Sequence, residues 1–143
     1  MVLAIPFVIA LVAVGAVTAY FYSTHGPRAM VLHIHPHLSI TLDGQPLTVP
    51  THIGMDYSLW KDNSLNQYGI GMAPLHTHDT SGIIHVESNV YRIYTLGQFL
   101  DIWGGLDTTG KMVKATVDGV PVQDYRNILL RDKEQIHLDV ENR

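Results

Sequence analysis

The chain has 143 residues, a formal net charge of -4 and only 15% charged side chains; no basic stripe exists to neutralise phosphates, so nucleic acid is excluded as a partner. It has no cysteine, which excludes disulfides and thiolate ligands, whereas its nine histidines equal its nine lysines and arginines. Most of those histidines fall between His33 and His85, and function is to be sought there.

Val2 to Tyr22 carries no charged side chain. As a helix it would extend about 31 Å, the thickness of one hydrocarbon core. Pro6 falls in the first turn, where a missing N–H costs least, and Tyr20, Phe21 and Tyr22 form an aromatic girdle at the exit. Residues 1–24 are therefore expected to be a single transmembrane helix. The rival is a cleaved signal peptide with Val17-Thr18-Ala19 as its cleavage box, but a basic leader is missing and the apolar run is long. Residues 25–30, with Gly26-Pro27, read as a linker. Residues 31–143 are long enough for one domain with its own core. The low charge content suits burial against lipid or a partner protein, and a His-rich metal domain makes most sense outside the cytoplasm.

Met30 to Leu42 alternates as a strand, with Ile34, Leu38, Ile40 and Leu42 on one face and His33, His35, His37, Ser39 and Thr41 on the other. Pro36 would cost a ladder bond in a central strand, so the His33–His37 end is expected at an edge. Asp43-Gly44 is a hairpin signal, returning through Gln45 to Val49. Thr51 to Ala73 is expected to be a loop with one short helical turn near Leu59-Trp60, and a loop of that length is usually functional or partner-bound.

Pro74 to Glu87 reads as a β-hairpin turning on Asp79 to Gly82. A turn centred on Thr80-Ser81 sets His76 opposite His85, with His78 one diagonal step away and within reach of both. Leu75, Ile84 and Val86 then share the opposite face with Thr77, and a slip of one residue would scramble both faces. Beyond it, Thr95 to Gln98 forms a capping box opening a helix whose Leu96, Phe99, Leu100 and Trp103 make a core stripe. Gly104-Gly105 ends it. A second hairpin turns on Asp118-Gly119, and Gln135 to Val140 alternates as a final strand.

Part of this order resembles a known pattern. Ser39 to Pro50 looks like a first β-grasp hairpin and Thr95 to Leu100 like the helix that follows. Ala115 to Val122 and Leu129 to Val140 are similar to the closing strands of ubiquitin-like sulfur carriers. The resemblance implies an α+β fold, a small β-grasp-like mixed sheet packed on one helix. It does not imply sulfur transfer, because Val140-Glu141-Asn142-Arg143 stands where that family ends in a diglycine. The blocks His33-x-His35-x-His37, Leu75-His76-Thr77-His78-Asp79 and Gly82-Ile83-Ile84-His85 also resemble membrane-anchored microbial proteins that have no established function.

A His-x-His pair on one strand and a histidine on its neighbour direct three imidazole nitrogens to one point, where copper or zinc can bind with a coordination position left open. With nitrogen donors and no thiolate, divalent copper is favoured over zinc. His76, His78 and His85 are expected to be the main ligands. His33, His35 and His37 form a second site or complete the first, and Glu87 orients a ligand from behind or acts as a base. His52 and His137 read as ordinary surface residues and Asp79 as a turn former. No nucleophile constellation or phosphate loop is visible. The chain is thus expected to bind metal for delivery, or as an accessory subunit of a membrane complex with protein partners. The alternatives are a small three-His metalloenzyme activating water, or a purely structural subunit.

Overall fold

A computed structural model describes residues 12–20 and 29–143. Residues 12–20 are helical and exposed. Most of the expected transmembrane helix and linker lies outside the described residues, among which no helix is long and apolar enough to cross a membrane.

The rest is a mixed α+β fold with two sheets. A small antiparallel sheet has the order β1 (Leu32–Ile34), β5 (His85–Ser88), β4 (Leu75–His76). The larger sheet has the order β3 (Gln45–Leu47), β2 (His37–Leu42), β8 (Gln135–Glu141), β6 (Met112–Val117), β7 (Val120–Val122). Its central pair β2 and β8 is parallel, and its other pairs are antiparallel. Both Asp-Gly sites make tight hairpins, with Asp43 and Asp118 each at φ 50°. The edge strands β3 and β7 carry Pro46 and Pro121, whose missing N–H blunts pairing with another chain.

The helix Leu96–Trp103 begins as its sequence predicts. Thr95 Oγ1 accepts from the Gln98 N–H, and Gln98 Oε1 accepts from the Thr95 N–H. Gly104 closes it in the left-handed conformation, its N–H donating to the Leu100 carbonyl. Leu96, Phe99, Leu100, Ile102 and Trp103 are buried in one apolar cluster. That cluster also takes Leu38 and Ile40 of β2, Ile136, Leu138 and Val140 of β8, and Leu75 and Val86 of the small sheet. Full burial of a side chain such as Phe99 stabilises the fold by about 1.5–3 kcal/mol. The loop from Thr51 holds two short 3-10 turns, Tyr57–Leu59 and Asn66–Tyr68, rather than one.

The expected strand from Met30 to Leu42 does not run through. It breaks at His35-Pro36, and its two halves enter different sheets. Pro36 has no N–H for a ladder and holds His35 out of the helical region. Its carbonyl accepts from the Ile84 N–H at 2.9 Å, the Leu38 N–H donates to the Gly82 carbonyl at 2.8 Å, and the His35 N–H donates to Asp132 Oδ1 at 2.9 Å. The β1 half is an edge strand, as expected of the His33 end, whereas β2 lies inside the larger sheet.

Gly82 welds the His hairpin to β2. It sits at φ +84°, and a Cβ there would stand 2.2 Å from the Leu38 carbonyl oxygen. Gly44, at φ +77°, has nothing within 4 Å of that position. Gly44→Ala should therefore cost only the left-handed backbone, about 1–2 kcal/mol. Gly82→Ala should cost clearly more, because backbone has to move as well. Urea midpoints of the two variants against the parent check this; equal losses would contradict it.

Candidate metal centre

The register of β4 and β5 builds the site. Leu75 pairs with Val86 and His76 with His85, the pairing that the turn chemistry predicts. Alternation sends Leu75 and Val86 into the core and His76, His85 and Glu87 to the other face. Past that pair the hairpin opens. Thr77 pairs with the loop, donating its N–H to the Ile53 carbonyl and accepting from the His52 N–H, and so does not pair with Ile84. Ile84 bonds instead to Pro36, and both stay buried because each arm finds other backbone to pair with. Asp79 is a turn former: its Oδ1 accepts from the Ser81 N–H at 2.8 Å. Hydrogen bonds from Ser81 hold its carboxyl below the usual range.

His76 is fully buried. Its Nδ1–H donates to the Ala73 carbonyl at 2.9 Å, which leaves the Nε2 lone pair facing inward. Gly54 allows this placement. It lies at φ +70°, where a Cβ would come 2.8 Å from the Ala73 Cβ and 3.3 Å from the His76 Cβ. His76 Nε2 lies 3.3 Å from His78 Nε2 and 3.9 Å from Glu87 Oε2. His85 Nδ1 lies 3.8 Å from Glu87 Oε1 and, although buried, has no hydrogen-bond partner. The His78 ring crosses that of His85 with centroids 4.3 Å apart.

One donor atom from each of His76, His78, His85 and Glu87 lies within 4.8 Å of all the others. A tetrahedral ion with metal–nitrogen bonds of about 2.0–2.1 Å sets its ligand atoms about 3.4 Å apart. The His76–His78 separation already matches that edge. The group can hold a metal ion.

Its electrostatics keep the donors ready. Burial pushes the His76 imidazole down to about 4, against the opposing pull of the Ala73 hydrogen bond and Glu87. His85 is also lowered, first by burial and then by the neighbouring His78 and His35. Both rings are neutral near pH 7, the form that ligates.

The other expected residues divide. His33 faces Glu87 across β1 and β5, its Nε2 3.2 Å from Glu87 Oε1. The His35 ring meets those of His33 and His85 at centroid distances of 4.5 and 4.7 Å. Donor atoms of His33, His35 and His85 form a second close group. His37 joins neither group: its Nε2–H donates to the Ser81 carbonyl at 2.9 Å. The Pro36 break turns it onto the larger sheet. His52 is exposed, and His137 is bonded to Ser39 Oγ on the larger sheet. His25 lies outside the described residues.

Sequence reasoning gave Glu87 the role of orienting a ligand or acting as a base, and its carboxylate lies in one close donor group with the three imidazoles. Strand parity carried the signal, since residues 85 and 87 share a face. It missed the Ala73 carbonyl, a backbone group that no residue type announces. It also missed Asp132, whose carboxylate lies 3.9 Å from His35 Nδ1. No family model matches the chain, and neither a curated protein nor a solved structure is significantly similar to it.

Proposed function

We propose that this chain is a membrane-anchored, extracytoplasmic protein that binds one divalent transition metal through His76, His78, His85 and Glu87, copper in preference to zinc. It acts in metal delivery or as an accessory subunit of a larger membrane complex. The observation that carries the metal reading is the buried His85 Nδ1, which has no hydrogen-bond partner beside an inward His76 lone pair. A buried polar atom of that kind needs an ion or a water, and its neighbours are ligating groups. The copper preference follows from imidazole donors in a chain without cysteine. The site opens to solvent at the exposed His78, which suits an ion that arrives and leaves.

The anchor rests on the uncharged run from Val2 to Tyr22. The finer fold reading, a β-grasp-like sheet, is supported by the parallel pairing of β2 with β8 between two Asp-Gly hairpins, with one capped helix in the core. The position of Glu87 also supports a metalloenzyme reading, in which His76, His78 and His85 alone would hold the ion, the ion would supply Lewis acidity, and the Glu87 carboxylate would serve as the base.

Equilibrating the purified full chain with equal copper(II) and zinc(II), then desalting, tests the binding reading. Copper is expected to be retained in excess over zinc. Retention of neither metal would overturn it.

A further inference from the structure

The central strand of the small sheet is flanked by histidines on both sides. From β4 come His76 and, just beyond the strand, His78; from β1 and the residue after it come His33 and His35. His85 and Glu87 of β5 lie between the two sets. His85 belongs to both close donor groups, the one with His76, His78 and Glu87 and the one with His33 and His35. Glu87 is divided in the same way: Oε2 lies 3.9 Å from His76 Nε2, and Oε1 lies 3.2 Å from His33 Nε2.

We propose that the protein binds a second transition-metal ion next to the first, held by His33, His35 and His85, with His85 and Glu87 shared between the two. A carboxylate has two oxygens, and an imidazole that releases its N–H proton to solvent has a lone pair on each of its two nitrogens, so each residue can serve two ions at once. The Asp132 carboxylate accepts from the His35 backbone N–H at 2.9 Å and so holds that residue in place, its oxygen 3.9 Å from His35 Nδ1. His33 and His35 are more exposed than His76, so the second ion sits on the solvent side and exchanges faster. The pair would be a relay from surface to buried site. This inference rests on the first ion position being real.

Copper(II) titration of the full chain, with desalting to remove loosely held ion, tests it by stoichiometry and by electron paramagnetic resonance. Two retained equivalents are expected, the second reducing the signal intensity because the two ions couple through shared ligands. The His33→Ala/His35→Ala variant should retain one equivalent with an undiminished signal. His33→Gln/His35→Gln, which keeps side-chain bulk on the strand, should do the same, and matching circular dichroism spectra verify that both fold. One equivalent in the full chain, two in the variants, or none in the variants would each overturn the second position. No retained copper in the full chain would instead overturn the first position too, which separates the two failures.

Discussion

Replacing His76 with alanine is expected to abolish retention at the buried ion position, weakening affinity there by more than about a hundredfold. Removing a group that merely orients a ligand costs about 10- to 100-fold, and His76 is itself a donor and the most buried one of the four. The Ala73 hydrogen bond fixes its tautomer and its rotation. The variant should also lose about 1–3 kcal/mol of stability, since the Ala73 carbonyl is left without its donor. His137→Ala, on the larger sheet, is the matched control and should bind like the parent. Calorimetric titration of both variants decides it. Unchanged binding in His76→Ala would show that His76 is not a ligand and overturn the buried position.

Acid should destabilise the metal-free protein. The His76 imidazole goes from an ordinary value of 6.5 to about 4 in the fold, because burial penalises its charged form. Between those two values the unfolded chain holds a proton that the folded chain does not, so stability rises with pH. The contribution is fully present above about 6.5 and is lost as pH falls toward about 4. At about 1.4 kcal/mol per pH unit, the gap amounts to about 3 kcal/mol. His85 is shifted in the same direction and adds to the loss. Urea unfolding at pH 7 and pH 5 should show most of the difference, and His76→Gln should flatten it. Bound metal should leave over the same range, because protons and the ion compete for the same nitrogen lone pairs. A pH-independent urea midpoint would contradict the assignment of a neutral, buried His76.

Much of the site was readable before any coordinates, because its parts are local. The turn at Asp79 to Gly82 sets the register, the register sets parity, and parity puts His76, His85 and Glu87 on one face. The capping box of the helix and the two Asp-Gly hairpins were readable for the same reason: each is a short signal whose partners lie within a few residues. What escaped depends on distant segments. Pro36 announces that a strand is in difficulty, but its carbonyl partner Ile84 lies far along the chain, just before β5, so the split between two sheets was hidden. His37 was grouped with His33 and His35 by alternation, yet alternation holds only along an unbroken strand. The burial of His76 likewise comes from the loop laid over it, through Gly54 and the Thr77 pairing, and strand parity says nothing of that.

An anomalous-scattering map collected at the copper edge from crystals of the full chain soaked in copper(II) tests the central claim most directly. A peak at bonding distance from His76 Nε2, flanked by His78, His85 and Glu87, is the predicted result. Imidazoles hydrogen-bonded to one another and to Glu87, with the copper signal elsewhere or missing, would contradict it.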